Sequence, residues 1–268
     1  MKKKCVIFGN CHCSGIKKFL EFSKFYEFYE LKQYANWQII KELKLTDDIY
    51  INISEADLII YQPLKDIYNC YSTNKNNPES FFNLTKNTCK FISFPRIHNN
   101  AIFPIFNKRK YSNEVYGKIN NKINSVENLI YLYDNNLLDF DFENRMKNNY
   151  LISKEKDCDI KIIDFIYDNI RRQKLFLTQD HPTSIIFNEI TSQICKILNL
   201  NYDYEKGLNS DENLTCLEDS VYSRKDCQYP ISRYMINYFK FNYISEEHPE
   251  ADEFYKQILI NSYLNNLI

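Results

Sequence analysis

The apolar positions of this chain change their spacing within the first twenty residues. Residues 5–9, CVIFG, form a short continuous run that reads as a buried strand. Beyond it Ile16, Phe19 and Leu20 recur at helical spacing, with Ser14 as a candidate cap. Residues 36–45 read as a further helix. Residues 56–61, ADLIIY, are a second continuous apolar run, and residues 91–94, FISF, a third that stops at Pro95. Strand, helix and strand in this order predict an α/β fold, a mostly parallel sheet flanked by helices.

The pattern then loosens. Residues 115–123 and 126–132 hold helical patches among Asn-rich connections, and residues 160–172 return to helical spacing. Residues 174–177 read as a strand leading into TQDHPT, and residues 184–198, SIIFNEITSQICKIL, as a strongly amphipathic helix. Residues 200–228 are polar and irregular, and residues 230–268 hold two tyrosine-rich helical stretches. The expected organisation is an α/β catalytic core over 1–200 and a helical C-terminal extension over 201–268 packed on it.

Composition narrows the function classes. A chain of 268 residues with 44% hydrophobic and 26% charged residues is globular and buries a substantial core. A formal net charge of −1 speaks against a nucleic-acid partner. No apolar run approaches the length of a membrane span. Lys2–Lys4 resembles the start of a secretion signal, but the apolar segment after it ends at Gly9. The 9 cysteines are odd in number and scattered, as expected of reduced thiols in a cytoplasmic protein. Cys5, Cys70, Cys89, Cys158, Cys195, Cys216 and Cys227 read as small buried hydrophobes or incidental residues.

The chemistry concentrates in GNCHCSG, residues 9–15, where the first strand hands over to a helix. Five residues separate Gly9 from Gly15 and Ile16 follows, so the string is no P-loop; no G-x-G-x-x-G occurs either. Adjacent Cys11, His12 and Cys13 cannot readily converge on one ion, and no second Cys/His cluster has zinc spacing, so no metal is expected. The C-x-C of Cys11 and Cys13 lacks the usual redox spacing. A nucleophile remains: a cysteine at a helix N-terminus sits among N–H groups that favour a thiolate and an oxyanion. Gly9 permits a tight turn there, and Asn10 offers an amide donor.

A thiolate also needs a base. Of His12, His98, His181 and His248, His181 follows the strand expected over 174–177 and precedes a strong helix, where α/β sheets present catalytic groups. Chemistry therefore favours Cys11 with His181; a structural cysteine and a capping histidine is the bland alternative. Gln62, at the end of the apolar run 56–61, is a polar group that must find a structural or ligand partner.

Four segments, in order, resemble the polysaccharide biosynthesis enzyme WcbI family: VIFGNCHCSG, ADLIIYQPLKD with Gln62 and Pro63, FISFPRIHNNAIFP with Pro95 and Pro104, and KLFLTQDHPTSIIF. They span roughly residues 4–200. The resemblance implies a CoA-dependent O-acetyltransferase that acts on a sugar hydroxyl of capsular or other surface polysaccharide, with an SGNH/GDSL-like core and active site. It departs from the family at His12, where Gln is usual, and at Asp180, where Asn is usual. An SGNH enzyme carries Asp three residues before its histidine; Thr178 stands there, so no triad acid is identified.

On this reading Cys11, His181, Asn10 and Gln62 are catalytic. Gly9, His12, Arg96 and Arg172 are candidates for contacts to coenzyme A or acetyl-CoA, whose phosphates call for basic groups; Arg171 and Lys174 are further basic candidates. The expected acceptor is a carbohydrate or glycolipid. A homo-oligomer and peripheral attachment at the inner membrane stay open. Two other functions stay open as well: an esterase or thioesterase with water as acceptor, and a non-catalytic glycan-binding or assembly protein that uses the abundant tyrosines.

Overall fold

The computed structural model describes residues 1–40, 44–99, 101–104, 119, 122–154, 157–209, 228–244 and 249–265. In chain order the principal elements are β1 (Lys3–Gly9), α1 (His12–Phe19), β2 (Tyr29–Ala35), α2 (Asp47–Ser54), β3 (Leu58–Tyr61) and β4 (Lys90–Ser93). Then follow α3 (Val126–Asp134), α4 (Phe142–Lys154), α5 (Ile163–Asn169), β5 (Phe176–Thr178), α6 (Ser184–Ile197), α7 (Arg233–Phe239) and α8 (Pro249–Leu264). The helical patch expected over 115–123 falls mostly outside the described residues, and Cys216 and Cys227 lie outside them.

The chain divides into two compact units. The first comprises Met1–Ile97, Lys156–Ile166 and His181–Cys227. It holds a parallel four-stranded sheet in the order β2-β1-β3-β4, so the fold is α/β, with helices flanking the sheet. β1 and β3 are the two inner strands, and Val6, Ile7 and Phe8 bury both faces of β1. Val6 and Phe8 share one face with Ile59 and pack on Ile49 and Ile53 of α2 and on Tyr71, Phe81 and Phe82. The Phe8 ring stacks at 6.1 Å on Tyr71 and meets Phe81 edge-on at 5.2 Å. Elsewhere in this unit α1 packs against α6, with the Phe19 and Phe187 rings 6.3 Å apart.

β2 is an edge strand that the hydrophobic pattern does not reveal. Its positions alternate between exposed Glu30 and Lys32 and half-buried Tyr29, Leu31 and Gln33. A strand with a partner on one side only needs no continuous apolar run. α2 is also silent in the pattern, since only Ile49 and Ile53 are buried; Thr46 caps it by accepting from the Ile49 N–H. At the other end of β1, Asp57 accepts from the Lys4 N–H at 2.8 Å and from Lys86 Nζ at 2.8 Å.

The second unit comprises His98–Glu155, Tyr167–Asp180 and Gln228–Ile268. Its core is aromatic. Tyr133 of α3 lies 5.1 Å from Tyr234 of α7, and Arg233 sits over both rings. Asp252 of α8 accepts from the Tyr133 hydroxyl and pairs with Arg233. Among the described residues no helix is long and apolar enough to cross a membrane.

Candidate active site

The order β2-β1-β3-β4 reverses direction about β1: the chain leaves β1 to one side for β2 and returns to the other for β3. In open parallel sheets that switch point opens a crevice at the carboxyl ends of the two strands. The residues there are Asn10 and Cys11 after β1 and Gln62 after β3. Three of the four residues expected to be catalytic are thus brought to one place.

Backbone hydrogen bonds shape the turn. Cys11 is the N-cap of α1, half-buried, with helical φ/ψ. Ser14 is therefore not the cap; its Oγ accepts instead from Gln33 Nε2 at 2.7 Å. Asn10 Oδ1 accepts from the His12 N–H at 3.0 Å, and Asn10 O from the Cys13 N–H at 3.1 Å. The Asn10 side chain caps the helix through its oxygen, so its amide nitrogen faces the other way. The Asn10 N–H donates to Gln62 Oε1 at 3.3 Å, and the Gln62 N–H to Phe8 O at 2.9 Å, which carries the β1–β3 ladder past the strand end.

Glycine is required at position 9 by close packing. A Cβ there would lie 2.9 Å from Cys13 Sγ, 3.0 Å from Phe94 Cζ and 3.1 Å from Gln62 Cβ. Cys13 itself is fully buried, and burial raises its thiol pKa well above the ordinary value; the nearby Cys11 adds to the shift. It is the inert member of the C-x-C pair.

His12 is 0% exposed, and its ring lies 6.1 Å from Phe187 in the first turn of α6. A Cβ on Gly15 would come within 2.6 Å of the same Phe187 ring. The amino-terminal turns of α1 and α6 are thereby packed together. His181 is half-buried and lies three residues ahead of α6, whose N-cap is Thr183. The helix starts that carry Cys11 and follow His181 therefore adjoin.

Arg96 is exposed just beyond β4, in the same unit as Cys11. Arg172 is exposed and belongs to the second unit, where its N–H donates to Asn169 O at 2.8 Å. Asp180, adjacent to His181 in sequence, places Oδ1 2.6 Å from Nδ1 of His98. Sequence reasoning assigned His98 no role; its partner lies 82 residues away, and no local spacing signals such a pair. Among the described residues no group of three or more His, Cys, Asp or Glu is placed to hold a metal ion.

The family model of the polysaccharide biosynthesis enzyme WcbI matches residues 4–203. A solved structure of WcbI, described as a novel polysaccharide biosynthesis enzyme, superposes with a TM-score of 0.63 at 19% identity, covering 97% of this chain and 96% of that one. That structure is described as the native protein without a disulfide bond between coenzyme A and one of its cysteines. At such identity the likeness speaks for the fold. None of the curated proteins matches this chain.

Proposed function

The chain belongs to the polysaccharide biosynthesis enzyme WcbI family, and from that premise we propose that it is an acyltransferase that moves an acetyl group from acetyl-CoA to a sugar hydroxyl. The observation that carries this reading is the position of Cys11: half-buried, at the N-cap of α1, at the carboxyl end of β1 and beside the switch point of the sheet. The positive end of a helix there favours a thiolate. Coenzyme A in the description of the WcbI structure supports the donor.

His181 takes the proton of the Cys11 thiol, and Sγ attacks the thioester carbonyl carbon. As the tetrahedral intermediate collapses, the bond to the CoA sulfur breaks, and that sulfur receives the proton from His181. The sugar hydroxyl then attacks the acetyl-cysteine while His181 takes its proton. The bond to Cys11 Sγ breaks, and the proton returns to the thiol. Exchange between two thioesters is nearly isoenergetic, so no external energy source is needed. Arg96, in the same unit, is the candidate contact for CoA phosphate.

The reading is tested by intact mass after brief exposure to acetyl-CoA without acceptor. An acetyl adduct present in the wild type and missing in Cys11→Ser is expected. Failure of any Cys11-dependent adduct to form would remove the covalent route. Release of free acetate as the main product, with no transfer to added sugar, would make the enzyme a thioesterase.

A further inference from the structure

We propose that the side-chain amide of Gln62 reads the acyl carbonyl oxygen, so that this residue makes the site distinguish a thioester from coenzyme A itself. The proposal rests on the acyl-transfer reading above and deepens it. The common expectation for a strand-to-helix nucleophile turn is an oxyanion hole of backbone N–H groups. Here four of those groups already have acceptors. The Asn10 N–H donates to Gln62 Oε1, the His12 N–H to Asn10 Oδ1, the Cys13 N–H to Asn10 O and the Ser14 N–H to Cys11 O. A side-chain donor beside the turn therefore adds to what its backbone can offer a developing oxyanion.

Gln62 is oriented for that task. The Asn10 N–H is a donor, so the oxygen of the Gln62 amide faces it and the nitrogen faces away. Gln62 is 4% exposed, and its Nε2 has no hydrogen-bond partner among the described residues. A buried amide nitrogen in this state calls for an acceptor. It carries two N–H donors and no charge, which suits a carbonyl oxygen that gains charge during reaction better than a phosphate. Its surroundings strengthen the bond: its Cβ lies against Gly9, whose other close neighbours are the Phe94 ring and Cys13 Sγ. Its backbone N–H, bonded to Phe8 O at 2.9 Å, holds the residue in the ladder, so little reorganisation accompanies binding.

Gln62→Glu tests this, because it keeps an oxygen for the Asn10 N–H and removes the amide donors. Calorimetry is run on the wild type and the variant with CoA, acetyl-CoA and S-ethyl-CoA, which lacks the carbonyl. The wild type should prefer acetyl-CoA to S-ethyl-CoA by roughly three- to tenfold, the fold-change of one neutral hydrogen bond. In the variant that preference should vanish, with CoA affinity kept within about threefold. Exchange of labelled CoA into acetyl-CoA should fall by about 100-fold, as for loss of an oxyanion donor. Retention of both the preference and the exchange rate in the variant would overturn the role of Gln62 and leave acyl transfer standing. A wild type that binds CoA or acetyl-CoA but exchanges no label would sink the covalent acetyl-cysteine route proposed above. If Gln62→Glu does not fold, Gln62→Met, which is apolar and of similar length, is read in the same way.

Discussion

His98 Nδ1 and Asp180 Oδ1 stand 2.6 Å apart and form the ion pair or charge-assisted hydrogen bond that sequence spacing could not reveal. Next to this pair the Asn99 N–H donates to Gln179 O at 2.9 Å, and Gln179 Nε2 to Phe103 O at 2.6 Å. Segments 98–103 and 179–180 are therefore joined three times over.

The pair should show as energetic coupling. Its side chains are 22% and 37% exposed, so solvent screens it, and its strength belongs near the upper end for partly exposed pairs. Urea unfolding of His98→Gln, Asp180→Asn and the double variant is expected to give a coupling energy of about 0.5–1 kcal/mol. Strict additivity would mean that the contact contributes nothing.

The two glycines of the opening loop make separate predictions. Gly9→Ala drives a methyl into Cys13, Phe94 and Gln62, two of them rigidly packed. It should cost about 1–3 kcal/mol in urea unfolding and weaken the preference for acetyl-CoA over S-ethyl-CoA, because Gln62 is displaced. The nearest atoms that Gly15→Ala meets all belong to the Phe187 ring, 2.6 Å away. Its cost should therefore be relieved in Gly15→Ala/Phe187→Leu, where the smaller side chain opens room. A double variant no more stable than Gly15→Ala would place the clash elsewhere.

Much of this was legible in the amino-acid pattern, and the remainder was hidden for definable reasons. β1, β3 and β4 are inner or packed strands whose continuous apolar runs announce burial, and α6 carries an unbroken amphipathic period. β2 is an edge strand with Glu30 and Lys32 outward, so its residues look like surface. Cys11 and Gln62 could be suspected because each is a polar or reactive group directly after an apolar strand. Asn10 showed less: only the structure reveals that its oxygen caps α1. His12, conspicuous in the string, has its ring packed on Phe187 and serves the joint between α1 and α6.

Acid should expose the role of Asp57. The Lys86 ammonium, followed by the Lys4 N–H, holds its carboxyl below the ordinary carboxylate value. A depressed folded-state pKa means that the unfolded chain takes up the proton first as pH falls. The resulting stability is fully present above the unfolded value and is lost as pH drops through it toward the folded one. Urea midpoints measured from neutral pH down to about pH 3 should fall more gently in Asp57→Asn than in the wild type. Parallel curves would assign the acid limb to other carboxylates.

The cysteines offer the sharpest separation between a reactive site and buried filler. Cys5, Cys13, Cys89 and Cys195 are buried, and desolvation raises each thiol; Cys89 and Cys195 are pushed up to about 11. Among the described residues the half-buried thiols are Cys11 and Cys70, and burial raises that of Cys70 as well. Thiol alkylation follows thiolate fraction and access, so a helix N-terminal position should place Cys11 first. Brief iodoacetamide treatment of the native protein, mapped by peptide mass, is expected to modify Cys11 before Cys70 and to leave Cys13 untouched, two residues away. Saturating CoA should slow the reaction at Cys11 and leave that at Cys70 unchanged. Equal labelling of Cys11 and Cys70, with no protection by CoA, would deprive Cys11 of any special reactivity and return it to the class of incidental thiols.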